Sequence, residues 1–453
     1  MKLHFHGGAR TVTGANYLLE TKKGKVVIDC GLFQGGPESE EKNKSDFPYN
    51  PKDVEAVFIT HSHIDHIGRL PMLVKNGFNG TIYGTEPTKE FSAMMLMDSV
   101  NLARQREEAT ESLYTLADVE KTISLFHGIK YGEEKKLQSG IKFCFRDAGH
   151  ILGSAIVEIW ADDKKIVFSG DLGNPPVPLL KPTEFITEAD YVVVESAYGD
   201  RVHETKYQRR DLLEDTIEEA VARGGTILIP SFALERTQEL LYELNELIEN
   251  QRIPQIPVFV DSPLAIRLTD IYKKYTDYFN KEAAYLIESG DDLFKFPGLK
   301  MTRTVAQSKA INDIKPPKII IAGSGMSTGG RIRHHEIRYL PDPNSTFLSI
   351  CYQVDGTLGR EIVDGASSVR IFGQKIRINA KIKKISGYSA HADQEDLYFW
   401  ISKMTHDDGG KYRLKKVFVS QGEEEPAKAL AQRIKDHLGI SAIAPKLGQS
   451  FIL

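Results

Sequence analysis

The chain has 453 residues, a formal net charge of −4, 26% charged and 41% hydrophobic residues, three cysteines and thirteen histidines. That length asks for two or more cores, and the ordinary composition excludes long disorder. The small negative charge excludes attachment to nucleic acid by bulk charge, though not a local basic groove, and the scattered Cys30, Cys144 and Cys351 exclude a disulfide framework or a CxxC zinc knuckle. Leu3–Phe5, Tyr17–Leu19 and Val26–Ile28 read as strands, the last two flanking the turn at Lys22–Gly24. The apolar run Ala56–Thr60 reads as a buried strand, and a helical stretch is expected over Lys89–Phe126. Strand-like runs return at Ile141–Phe145, Ala155–Trp160, Lys165–Ser169 and Tyr191–Val194. Beyond Gly199 the rhythm becomes βαβ: a helix over Thr205–Arg223 stopped by Gly224–Gly225, the run Thr226–Ile229, a helix near Leu234–Glu249, then Val258–Val260, Lys318–Ala322 and Thr346–Cys351. Strand runs at Lys375–Ile385 and Val417–Val419 and a helix over Pro426–His437 close the sequence. No apolar run reaches the roughly 18 residues that span a bilayer, and Met1–Ala15 has no apolar signal core. The expectation is a soluble cytoplasmic protein with no membrane partner.

The strongest chemical signal follows Ala56–Ile59, in Thr60-His61-Ser62-His63-Ile64-Asp65-His66. In an extended segment His61 and His63 point the same way, because side chains alternate with period two. Asp65 and His66 begin a turn and face a neighbouring point. Imidazole and carboxylate donors suit zinc. His150, in Ala148-Gly149-His150, and Asp171, in Ser169-Gly170-Asp171, each stand at a strand end beside a glycine. Asp29, after Val26–Ile28, is placed to orient a ligand histidine by accepting its second N–H.

The ordered series Asp29, His61-x-His63-x-Asp65-His66, His150, Asp171 resembles the metallo-β-lactamase superfamily. Val194-Glu195-Ser196-Ala197-Tyr198-Gly199-Asp200-Arg201 and Gly387-Tyr388-Ser389-Ala390-His391-Ala392-Asp393 resemble motifs of its β-CASP branch, whose members process RNA and DNA; the likeness to compact bacterial relatives of the messenger-RNA 3′-end cleavage nuclease covers nearly the whole chain. The resemblance implies an α/β fold: an αββα metallo-β-lactamase sandwich with an inserted Rossmann-like α/β β-CASP domain, divided as 1–201, 202–375 and 376–453, with the active site in the cleft between the domains. It implies one zinc on His61, His63 and His150, and a second on Asp65, His66 and bridging Asp171, with manganese as the alternative metal. Glu195 and His391 would pass a proton to the leaving oxygen after a zinc-bound hydroxide attacks phosphorus, and Asp65 counts with them as catalytic. The implied activity is zinc-dependent hydrolysis of phosphodiesters in RNA, mainly single-stranded; single-stranded DNA is the alternative substrate, and a homodimer is compatible with it.

One position departs from the pattern. The family's third motif has histidine where this chain has Gln421, in Val419-Ser420-Gln421-Gly422-Glu423. Three readings stay open: a second metal bound more weakly or with water in place of the ligand, replacement by a residue such as Glu423, or an RNA-binding protein with a degenerate metal site and little or no catalysis. For the substrate, the presumed strand ends that carry Ser231 and Arg236, Ser262, Ser324, Met326, Gly329, Gly330 and Arg331, Gly356, Thr357 and Arg360, and Ser389 and Ala390 offer backbone N–H groups, hydroxyls and guanidinium groups to phosphates. Further cations for a groove are Arg333 and Arg338, with His334 and His335 between, and Lys375, Arg377, Lys381, Lys383 and Lys384, alternating with Ile376, Ile378 and Ile382.

Overall fold

The computed structural model describes residues 1–105, 113–203, 208–404 and 414–453. The chain divides into two units. The first comprises Met1–Val177, Lys181–Val202 and His391–Leu453; the second comprises Pro178–Leu180 and His203–Ala390.

Two seven-stranded sheets make the first unit. One runs in the order Ser450–Ile452, Lys2–Phe5, Tyr17–Glu20, Lys25–Ile28, Val54–Phe58, Thr81–Gly84, Phe126–Gly128; the other runs Ser441–Ile443, Lys416–Val419, Tyr191–Val194, Lys164–Phe168, Ala155–Ala161, Lys142–Asp147, Lys135–Lys136. Alternation along each strand sends one set of side chains between the sheets: Leu3, Phe5, Val26, Ile28 and Phe58 meet Phe143, Phe145, Val157, Ile159 and Phe168. The rings of Phe58 and Phe143 lie 4.6 Å apart. The opposite faces are apolar too, so segments such as Val26–Ile28 read as unbroken hydrophobic runs. Val27 and Val57 pack outward with Leu70, Leu73 and Leu96. Val192 and Val417 pack outward with Leu397, Trp400, Leu430 and Ile434. The result is the expected αββα order of layers.

The second unit is built on a six-stranded sheet, ordered Leu299–Met301, Val258–Asp261, Lys318–Ala322, Thr226–Pro230, Thr346–Ser349, Lys381–Lys384. Every pairing in it is parallel, which puts all the strand C-termini at one edge. Helices such as Arg236–Glu249 and Pro263–Tyr272 make the crossovers.

Some expectations change. The stretch 89–126 is not one helix: Glu86–Gln105 is helical, and Thr115 starts a second helix, Leu116–Ser124, with a reciprocal cap to Asp118; 106–112 lie outside the described residues. Phe126 is already in a strand. The expected helix start at Thr205 also lies outside the described residues; the described helix is Arg209–Ala222. Instead of returning to the first unit at 376, the chain stays in the second until Ala390. Gln374–Arg377 forms a hairpin with Ser368–Ile371, and Lys381–Lys384 pairs with Thr346–Ser349. No helix among the described residues is long and apolar enough to cross a membrane.

A buried carboxyl in the second unit gives a stability test. Burial pushes Glu336 up to about 7, and the hydrogen bond from Ser327 only partly offsets it. The native state thus holds a proton that the unfolded chain loses near pH 4.3, so this contribution is complete at low pH and is lost as pH rises through about 7. Glu336→Gln should leave stability unchanged near pH 4 and raise it near pH 8 by about 3–4 kcal/mol. Thermal melts of both proteins at the two pH values check this, and equal melts at pH 8 would contradict it.

Candidate metal centre

The first unit places its histidines where strands end. After Val54–Phe58 the chain passes through Thr60, His61 and Ser62, and His63 precedes the short helix Ile64–Ile67. Asp29, fully buried and in the left-handed region (φ 56°), organises this turn. Its Oδ1 accepts from the Thr60 backbone N–H (2.8 Å), and its Oδ2 accepts from the Thr60 hydroxyl (2.8 Å) and from His66 Nδ1 (2.8 Å). His66 therefore presents Nε2 inward. Thr60 Oγ1 also lies 3.1 Å from His61 Nδ1, which turns His61 Nε2 the same way. Thr60 was missed in the sequence; its position directly before His61-x-His63 was the available signal. Glycine is required at 31, because a Cβ there would lie 1.5 Å from the Asp65 carbonyl oxygen.

His61, His63, His150 and Asp171 converge, with one donor atom from each within 4.8 Å of the others. His61 Nε2 and His150 Nε2 lie 3.1 and 3.3 Å from His63 Nδ1, and 3.4 and 3.6 Å from Asp171 Oδ2. Bonds of about 2.0–2.1 Å from a tetrahedral zinc would put its donors about 3.3–3.4 Å apart. The donor set and its spacing therefore fit such an ion. Burial, then the neighbouring His66, lowers His61 well below the usual imidazole range, which favours the neutral ligand form. Burial alone would raise Asp171, but His66 and His61 hold it well below the usual carboxylate range.

A second group joins Asp171 to Glu195 and His391. Glu195 Oε1 accepts from the Leu172 N–H (2.6 Å), and Oε2 lies 3.1 Å from His391 Nδ1. Burial would lower His391; the charges of Glu195 and then Asp171 outweigh it and raise the imidazole to about 9. Asp65 and His66 stand beside Asp171: His66 Nε2 is 3.8 Å from Asp65 Oδ2 and 3.5 Å from Asp171 Oδ2. Burial raises Asp65. Gln421 lies two residues beyond the strand Lys416–Val419, in the left-handed region (φ 47°), and its backbone N–H donates to the Gly8 carbonyl (2.6 Å). Its side-chain Nε2 lies 2.7 Å from Asp171 Oδ1 and 2.9 Å from His66 Nε2.

The residues suggested for phosphates lie in the second unit. Ser231, Ser262, Ser324, Met326, Gly329, Gly330, Arg331, Gly356, Thr357 and Arg360 follow strand ends along the shared C-terminal edge. Many of their polar groups are used internally. Ser231 shares a hydrogen bond with Thr237 (3.0 Å), and Ser262 and Thr357 cap helices. Gly329 donates to Ser324 (3.1 Å), and the Met326 carbonyl accepts from Gly359 (3.1 Å). Arg236 is buried against Glu239 and the Tyr388 carbonyl. Arg331 binds Asp261 (2.7 Å), as does His335 (2.8 Å), and Arg360 pairs with Asp364 (2.7 Å). Ser389 and Ala390 close the second unit directly before His391.

Comparison with known proteins agrees along the chain. Residues 10–230 match the metallo-beta-lactamase superfamily, 237–362 the Beta-Casp domain, and 375–445 the Zn-dependent metallo-hydrolase RNA specificity domain. The chain is 36% identical to Ribonuclease TTHA0252 of Thermus thermophilus, over 95% of each protein. It is 32% identical to an RNase J-like protein of Methanocaldococcus jannaschii, over 98% of each. It is 29% identical to Transcription termination factor FttA of Methanosarcina mazei, over 97% of this chain and 69% of that protein. A crystal structure of a protein of unknown function from Enterococcus faecalis V583 shares the fold, with a TM-score of 0.56 at 14% identity over 100% of this chain and 99% of that one. With such identity along nearly its whole length, the chain belongs to the metallo-β-lactamase superfamily, in its β-CASP branch.

Proposed function

We propose that this protein is a zinc-dependent ribonuclease that hydrolyses phosphodiester bonds of single-stranded RNA. The observation that carries this reading is the convergence of His61 Nε2, His63 Nδ1 and His150 Nε2 on Asp171 Oδ2, at 3.1–3.6 Å separations. The ribonuclease names of the two relatives above 30% identity supply the substrate class.

His61, His63, His150 and Asp171 would hold the first ion, and Asp65, His66 and Asp171 would contribute to a second. When bound, such an ion supplies Lewis-acid chemistry, making a water acidic and taking up charge on the phosphate. The chain's own groups do the rest. Asp29 and Thr60 fix the ring orientations of His66 and His61. Glu195 holds His391 through Nδ1, so Nε2 is the nitrogen that would hand a proton to the leaving oxygen.

A second reading, an RNA-binding protein with an impaired metal site, draws on the contacts of Gln421 with Asp171 and His66. Purified protein with zinc or manganese, incubated with 5′-labelled single-stranded RNA and, in parallel, single-stranded DNA, separates the two. Cleavage of RNA in preference to DNA is the expected result. Retention of intact RNA with no cleavage under either metal would favour the second reading.

A further inference from the structure

The hairpin Ser368–Ile371/Gln374–Arg377 in the second unit has two dissimilar faces. Val369, Ile371 and Ile376 are buried in a cluster with Leu340, Phe347 and Ile362. Arg370, Lys375 and Arg377 are exposed. Arg370 stands directly opposite Lys375 in the register. Like charges in that relation repel and weaken a hairpin. Arg370 hydrogen-bonds the Gly373 carbonyl (3.3 Å), and none of the three cations forms an ion pair with a carboxylate among the described residues.

The turn is unusual as well. Phe372 and Gly373 form a two-residue connection, both with positive φ (48° and 77°). Such turns favour asparagine, aspartate or glycine at the first position, and a bulky side chain fits that backbone poorly. Phe372 is nevertheless there, and it is 51% exposed. The Arg333 guanidinium lies 4.4 Å from its ring centroid and the His334 ring lies 4.9 Å away. An exposed aromatic ring backed by a guanidinium, beside three unpaired cations, has the composition of a single-strand platform: a face for a base and charges for its phosphates.

We propose that this hairpin is an RNA-contact site, at which a base of single-stranded RNA stacks on Phe372 backed by Arg333 and the flanking phosphates lie along Arg370, Lys375 and Arg377. The proposal rests on the ribonuclease reading for its choice of ligand. The site recognises no particular sequence, since every base offers a stacking face.

The test uses the zinc-loaded protein and a fluorescent, phosphorothioate-substituted oligouridylate, with affinity read by anisotropy across a salt series. Hydrolysis of bis(p-nitrophenyl) phosphate and the thermal midpoint are measured alongside. Phe372→Asn should weaken RNA binding roughly five- to tenfold. It should leave hydrolysis of the small diester unchanged and keep or raise Tm, because asparagine suits the turn. The Arg370→Gln/Lys375→Gln pair should flatten the plot of log affinity against log salt by about 0.7 for each phosphate contact removed. Unchanged affinity and slope in these variants would overturn the proposal whatever the hydrolysis assay shows. Loss of affinity together with a lowered Tm would assign Phe372 a packing role and overturn it equally. Wild-type protein that binds this RNA but cleaves neither its unmodified counterpart nor the small diester would remove the ribonuclease reading and leave the variants' affinities to decide the hairpin.

Discussion

Asp171→Asn should strip the protein of its metal and its RNA cleavage while leaving it folded. Asp171 is the one side chain common to both donor groups. Its Oδ2 lies 3.4 Å from His61, 3.5 Å from His66, 3.6 Å from His150 and 3.8 Å from His391. Its negative charge offsets the cation and the imidazoles around it, and the carboxylate is itself buried. An amide of the same shape preserves the packing but supplies no charge and a far weaker donor. Metal affinity should fall by more than about a hundredfold, the upper end for groups that only support a ligand. Asp29→Asn provides the internal comparison. Asp29 orients His66 through Nδ1 rather than facing the donor group, so its loss should cost about 10–100-fold in affinity. Elemental analysis after dialysis, with cleavage of labelled RNA, reads both variants. Asp171→Asn protein that holds metal as tightly as wild type would sink the assignment, and so would a reversed order of the two variants.

The residues that compose this site were legible to different degrees. His61, His63 and Asp65-His66 stand out because close spacing at a strand end is itself a geometric statement. His150, Asp171 and Asp29 are single residues beside strand ends, and only the pairing of distant strands brings them to one point. Which ring nitrogen faces inward could not be read at all: His61 uses Nε2 and His63 uses Nδ1, and Thr60 helps to decide it for His61. In the second unit the parallel sheet and its loop edge follow from the βαβ rhythm. The use of that edge does not, because Arg236 and Arg331 find carboxylates inside their own unit. The run Lys375–Ile385 alternates as two strands should, yet alternation names no partner strand. Its true neighbours, Ser368–Ile371 and Thr346–Ser349, moved the return to the first unit from 376 to His391. Thr81–Gly84 and Phe126–Gly128 escaped notice because three or four residues beside helical segments carry too little periodicity.

Gln421→His should raise the metal content from about one ion per chain to about two. The carboxylate oxygen Asp171 Oδ1 has only lone pairs, so the side chain 2.7 Å away must turn its NH2 toward it. The same nitrogen lies 2.9 Å from His66 Nε2, whose ring is already committed to Asp29 through Nδ1. One amide hydrogen is thus spent on a carboxylate lone pair that a second cation would need, and the same nitrogen stands against the imidazole nitrogen that would be its other donor. Admitting that cation means breaking the hydrogen bond to Asp171, at about 1.5–3 kcal/mol for one to a charged group, and turning the amide to offer an oxygen in place of imidazole. Histidine at 421 removes the competing hydrogens and supplies a nitrogen, and it tolerates the positive φ of this position better than most residues. Titration calorimetry of metal-free protein should show one tight binding event in wild type, with any second event at least about tenfold weaker. In Gln421→His two events of similar strength are expected, with faster RNA cleavage. Gln421→Ala separates the two causes, since it removes the hydrogens without adding a ligand and should recover only part of the second event. Wild-type protein that binds two equivalents as tightly as Gln421→His would show that the amide turns at little cost, and the second site would then be complete as it stands.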